Sequence, residues 1–162
     1  MVKTIATPDQ DTLVTEIHIA VPPERVFRAL TDPKQLQVWW NSKECPLRTF
    51  EMDARRGGKW RFATVKAGIS INGVSQFDCE GEVTEYDPPR VLAYTWFANW
   101  HEDQARKTVV RWELSAKGGG TLVKVTHSGL AQEQVARKDY AGGWPGVVEH
   151  LKNFVEKNQE TL

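Results

Sequence analysis

His127, two cysteines and seven tryptophans are the side chains from which this 162-residue chain can build a site. Val123, Val125 and His127 alternate with polar neighbours, so His127 ends the inward row of a strand. A neutral imidazole there can exchange hydrogen bonds with a ligand or act as a base. The structural alternative is a histidine bonded to backbone near the strand end. No catalytic partner for it is visible in the sequence. His18 falls in an outward phase, His101 in a polar loop and His150 on the last helix. No pair of these has zinc-site spacing, and neither Cys45 nor Cys79 completes one, so neither a metal nor a cofactor is expected. Nucleophilic chemistry lacks its motif too. There is no GxSxG elbow, and Ser128-Gly129 leaves a strand for a turn rather than a helix. Cys79, inward between Phe77 and Gly81 with no basic neighbour, is expected to pack as a small hydrophobe. Gly57-Gly58-Lys59 precedes a strand and lacks the phosphate-loop pattern. Asp78, Glu80 and Glu82 form an outward, solvated row.

The aromatics are the stronger signal. Trp60, Phe62, Phe77, Trp112 and Trp144 fall in inward phases, and Trp39 or Trp40 ends a helix expected to close one mouth of a cavity. Such residues either pack a core or wall a pocket for an apolar or aromatic ligand. The candidate lining is Trp39, Trp40, Trp60, Phe62, Phe77, Cys79, Trp112, Val125, His127, Trp144, Val148 and Leu151.

These side chains need elements to hold them. Leu13 to Val21 alternates as a half-buried strand, stopped by Pro22-Pro23, and a short helix runs from Pro23 to Leu30. Asp32 caps a second short helix, with Pro33 at its first position and Gln35 placed for a capping box. From Leu47 to Gly129 the pattern is strand and turn, about six strands long. Val91 to Trp100 is apolar on both faces, with Tyr94, Trp96 and Trp100 in one phase and Ala93, Thr95 and Phe97 in the other. One row therefore needs a loop or a partner to cover it, a homodimer being the simplest. Ala131 to Lys138 and Trp144 to Lys157 have helical spacing, with Gly142-Gly143 and Pro145 expected to weaken or kink the path between them. Those two glycines are expected to let the helix approach the sheet closely.

Twenty-one Lys+Arg balance twenty-one Asp+Glu, so no basic excess points to nucleic acid or an anionic membrane. With 40% hydrophobic and 26% charged residues, the chain is too apolar for a disordered one. No run is apolar enough for a membrane span, no secretory leader is visible, and two cysteines without CxxC spacing suit reduced thiols in the cytoplasm. The expectation is one α+β domain over 1–162, with its core at about 12–157. A curved antiparallel sheet of about seven strands wraps a long C-terminal helix, with two short helices after the first strand.

That order of elements comes with Pro23-Glu24-Arg25-Val26-Phe27, Leu30-Thr31-Asp32-Pro33, Trp39-Trp40, Gly57-Gly58-Lys59-Trp60 and Gly81-Glu82-Val83. Further along stand Pro88-Pro89-Arg90-Val91-Leu92, Tyr94-Thr95-Trp96, Thr126-His127-Ser128-Gly129 and Gly143-Trp144. Together, from Thr12 to Lys157, they resemble the START-like (SRPBCC) superfamily, and more narrowly its AHSA-like family of homologues of a heat-shock-chaperone ATPase activator. The inward aromatic and aliphatic lining, with few inward ionisable groups, favours first the binding of a small hydrophobic molecule with no chemistry of its own. The resemblance implies the helix-grip fold. It also implies two alternatives. One is an enzyme of cyclase or hydrolase type with His127 as its polar or basic group. The other is a co-chaperone-like interaction domain, for which the neutral sequence offers no docking patch.

Overall fold

The computed structural model describes residues 2–158. Strand β1 (Thr4–Ala6) precedes β2 (Leu13–Ile19), and two short helices follow, α1 (Pro23–Thr31) and α2 (Pro33–Trp39). Next come β3 (Leu47–Met52), β4 (Lys59–Thr64), β5 (Asp78–Asp87), β6 (Val91–Ala98), β7 (Thr108–Lys117) and β8 (Gly120–Ser128). Helix α3 (Gln134–Lys157) closes the chain. All neighbouring strands are antiparallel, in the order β1-β2-β8-β7-β6-β5-β4-β3. Register shifts between Leu47 and Thr49 and between Val83 and Glu85 add bulges, which bend a sheet. The fold is the expected α+β curved, open sheet gripping a C-terminal helix.

The sheet has eight strands rather than about seven. The extra one, β1, is three residues long, with Ile5 and Ala6 exposed, so it carries no hydrophobic period to detect. It is held by backbone pairing to β2 and by the Thr4–Thr15 hydroxyl contact at 2.7 Å. The alternation seen in β2 is real: Leu13, Thr15, Ile17 and Ile19 are buried, and Glu16 and His18 are exposed.

At α2, the Asp32 carboxylate accepts from the Lys34 backbone N–H at 3.0 Å, as a cap should. The capping box is not completed. Gln35 turns its amide N–H to the Asp32 carboxylate and its carbonyl oxygen to Arg25, because the buried Arg25 guanidinium competes for it.

Helix α3 is continuous for 24 residues, about 36 Å, straight through Gly142, Gly143 and Pro145. The glycines and proline expected to weaken or kink the path do not interrupt the helix, and Tyr140, Trp144 and Val148 on either side are buried. Tertiary packing outweighs local propensity here.

The two apolar faces of β6 are covered to different extents. Leu92, Tyr94, Trp96, Ala98 and, beyond the strand end, Trp100 are buried on the α3 side. On the other side Ala93 is only 1% exposed. It pairs with Glu85 on β5 and Arg111 on β7, whose 2.8 Å ion pair spans β6 above it. Thr95 and Phe97, in the same row, are half-buried. Close approach does matter at Gly81, where a Cβ would lie 1.8 Å from the Thr95 carbonyl oxygen. That oxygen accepts the Trp60 indole N–H at 2.9 Å.

Candidate functional site

Between the sheet and α3 lies a pocket of about 500 Å³, within the range of roughly 300–1,000 Å³ of small-molecule sites. Its wall is aromatic: Trp40 from the end of α2, Phe62 from β4, Phe77 before β5, Trp96 and Trp100 from β6 and its exit, and Tyr140 and Trp144 from α3. The rings pack on one another. Trp40 stands 5.7 Å from Phe62, 6.2 Å from Trp96 and 6.3 Å from Trp144, centroid to centroid. Ser42, Glu44 and Cys45 form one rim, and Ile69 and Ile71 the other.

Local chemistry explains why these elements hold still. Trp39 points into the core, its indole N–H donating to the Ala29 carbonyl at 2.8 Å, which leaves the next residue, Trp40, at the pocket. The segment bearing Ile69 and Ile71 folds back on itself through mutual Ile71–Val74 backbone bonds of 2.9 Å. Its turn uses Asn72 at φ 51° and Gly73 at φ 80°, residues that tolerate the left-handed region. The Asn72 side-chain amide donates to the Trp100 carbonyl at 2.7 Å and ties this flap down. The far end is fixed by the buried Glu133 carboxylate, just before α3. It accepts the backbone N–H groups of Glu102 (2.7 Å) and Asp103 (3.0 Å) and pairs with Arg106.

Helix α3 supplies one side, on which Gly142, Gly143, Gly146 and His150 are exposed. Asp139, Gly143, Gly146 and His150 are spaced i, i+4, i+7 and i+11, which puts them on one stripe, and all four line the pocket together with Gly142. The glycines are not there for close approach to the sheet. A Cβ built at Gly142, Gly143 or Gly146 would meet no atom within 4 Å. They leave a length of helix bare toward open space.

Of the expected lining, Trp40, Phe62, Phe77 and Trp144 stand at the pocket. Trp39, Trp60, Cys79, Trp112, Val125, His127, Val148 and Leu151 are buried outside its wall. Trp60 and Trp112 spend their N–H groups internally, on the Thr95 carbonyl and, at 2.9 Å, the Tyr94 hydroxyl. Burial pushes the Cys79 thiol well up, so it stays protonated.

His127 sits behind the wall with both ring nitrogens engaged. The Thr108 hydroxyl donates to the Trp96 carbonyl at 2.9 Å, so it must accept from His127 Nε2–H at 2.8 Å. Nδ1 then accepts the Trp144 indole N–H at 3.3 Å. Burial lowers the His127 pKa to about 3, which makes the ring a neutral strut between β7, β8 and α3 rather than a base facing the cavity.

The polar group at the wall is instead Tyr140, which the sequence reading missed together with His101, its partner. Tyr140 Oη accepts the Trp96 indole N–H at 3.0 Å and lies 2.7 Å from His101 Nε2. His101 Nδ1 is a buried atom without a partner among the described residues. Burial raises the tyrosine pKa and lowers the histidine pKa, so both are neutral. The Trp100 indole N–H is also buried without a partner among the described residues. Cys45 is half-buried at the rim, its thiol pushed up by burial and by the nearby Asp139 and Glu44 carboxylates. Asp139 itself is raised by burial. The signal that marks these α3 residues is the helical spacing of Asp139, Gly143, Gly146 and His150. Among the described residues no cluster of His, Cys, Asp or Glu can hold a metal ion, and no helix is long and apolar enough to cross a membrane.

Solved structures share this architecture. A Rhodobacter sphaeroides protein superposes with a TM-score of 0.77 at 21% identity, over 97% of this chain and 99% of that one. A Mesorhizobium loti protein is 29% identical with a TM-score of 0.68, over 90% and 97%. The AHSA1-like protein from Aeromonas hydrophila is 23% identical with a TM-score of 0.70, over 91% and 94%. No curated protein matches the chain. The family model described as Activator of Hsp90 ATPase homolog 1-like protein matches residues 20–156. That match takes in every element that builds the pocket, from α1 to α3, and the chain belongs to this family.

Proposed function

We propose that this protein binds a small hydrophobic or aromatic molecule between the sheet and α3, and performs no chemistry on it. The bare glycine stripe carries this reading. Each of Gly142, Gly143 and Gly146 costs the helix about 1 kcal/mol relative to alanine. No neighbour lies where their side chains would be, so packing does not explain them, whereas a ligand lying along the helix does. The aromatic wall supplies apolar area, and the unpartnered Trp100 N–H supplies a donor for orientation. The enzyme alternative loses its key residue, since His127 faces the core with both nitrogens occupied. A chaperone partner would use the surface, and nothing about the pocket argues for one. Two free cysteines suit a cytoplasmic setting.

Nile red, an uncharged apolar dye, tests the pocket. The expected result is saturable binding of one dye per chain, with a blue-shifted, brighter emission. Absence of saturable binding, or a linear rise characteristic of non-specific surface adsorption, contradicts the proposal.

A further inference from the structure

The ionisable side chains around the pocket are unevenly signed. Among the described residues its lining includes Glu44 and Asp139 but no lysine or arginine, and His150, Cys45 and Tyr140 complete the titratable set. Glu44 is exposed at the rim, where water screens it. Asp139 is different. It is half-buried on α3, one turn from Gly143, and has neither a hydrogen bond nor an ion pair among the described residues. The carboxylates that carry ion pairs elsewhere on the molecule, such as Asp78 with Arg61 at 2.7 Å, show what a settled acidic group looks like here. A half-buried carboxylate without a partner is an energetic cost to the unliganded fold, and burial accordingly favours its protonated form. Its field reaches into the pocket, since it is one of the charges that raise the Cys45 thiol at the rim. Around it stand indole and phenyl faces, whose quadrupoles attract cations.

We propose that the ligand is an amphiphilic organic cation, an aromatic or alkyl body carrying an ammonium head, and that Asp139 is the residue that selects for its charge. The proposal rests on the binding function argued above and specifies its ligand class. The apolar body lies against Trp40, Trp96 and Trp144 along the bare glycines, and the head replaces the ion-pair partner that Asp139 lacks. An anionic ligand of the same shape meets a like charge with no cation to offset it.

Three probes of nearly one shape test this: phenylbutylamine, cationic at neutral pH; phenylbutanol, neutral; and phenylbutanoate, anionic. Each is titrated as a competitor of bound Nile red, against the wild-type chain and Asp139→Asn. The amine is expected to bind about tenfold more tightly than the alcohol, a difference of about 1.4 kcal/mol, and the anion more weakly than either. In Asp139→Asn, with its dye affinity measured afresh, the amine and alcohol are expected to bind alike. The variant is expected to fold at least as stably as the parent, because it removes an unpaired, half-buried charge, and its melting curve verifies this. Equal binding of amine and alcohol to the wild type overturns the charge selection while leaving the pocket intact. A preference for the amine that survives in a folded Asp139→Asn overturns the role of Asp139. Failure of the dye and all three probes overturns the pocket itself, and the charge inference with it.

Discussion

Gly143→Leu is expected to melt at a higher temperature than the parent chain and to lose ligand binding. The two effects share one cause. Gly143 lies in the interior of a 24-residue helix, where glycine costs about 1 kcal/mol relative to alanine and leucine is nearly as good as alanine. Its Cβ direction is empty to 4 Å, so the new side chain meets no backbone on entering. Gly143 lines the pocket, so the new side chain is expected to bury apolar area there and occupy space a ligand needs. A gain of about 1 kcal/mol corresponds to a rise of roughly 2–4 °C in a chain of this size. Affinity for Nile red is expected to fall at least tenfold. Calorimetric melting and dye titration of the purified variant check both halves. A variant that melts lower would show that the glycine serves packing, and one that still binds the dye would place the ligand elsewhere. Stability exchanged for an open site in this way is the usual relation between a functional cavity and the fold around it.

Acidification exposes the second large effect. The folded-state pKa of His127 is depressed to about 3, from an ordinary value of 6.5. Between these values the unfolded chain binds the proton and the folded chain does not, so stability rises with pH across the window. It is fully present above about pH 6.5 and is lost as the pH falls. The loss from this one residue is about 2 kcal/mol between pH 6.5 and pH 5. Burial depresses His101 as well, which acts in the same direction. His127→Gln isolates the contribution, since an amide can donate to Thr108 and accept from Trp144 without titrating. Urea unfolding at a series of pH values is expected to show the acid-side slope reduced by close to one proton. His127→Ala removes both bonds and leaves a void, at a cost of about 3 kcal/mol at neutral pH. An unchanged acid slope in the glutamine variant would mean that the ring is already protonated in the fold, and that the bonding through Nδ1 is wrong.

The strands were legible in the sequence wherever one face is buried and the other wet. Val123, Val125 and His127 fall on the inward row as their period predicts, and so does the buried set of β2. What periodicity cannot distinguish is an inward residue packed against another side chain from one facing an opening. Trp60, Trp112 and Trp144 share the same phase logic, yet only Trp144 reaches the pocket. The difference is set by the long-range placement of α3 and of the flap tied by Asn72 to the Trp100 carbonyl. The glycines mislead for a related reason. Helical glycine has two physical uses, close approach and open space, and the sequence is the same for both. Only the surroundings of Gly143 decide it. By sequence His101 falls in a polar loop. Glu133 draws that loop inward by accepting the backbone N–H groups of Glu102 and Asp103, and His101 is buried beside Tyr140 as a result.

Amide and indole chemical shifts recorded during a titration with phenylbutanol, a neutral probe, test the central claim residue by residue. The account predicts saturating shifts concentrated at the backbone N–H groups of Gly142, Gly143 and Gly146 and at the indole N–H groups of Trp100 and Trp40. The indoles of Trp60 and Trp112, committed to Thr95 and Tyr94 behind the wall, are predicted to stay still. Shifts confined to the outer face of the sheet, or none that saturate, would contradict it.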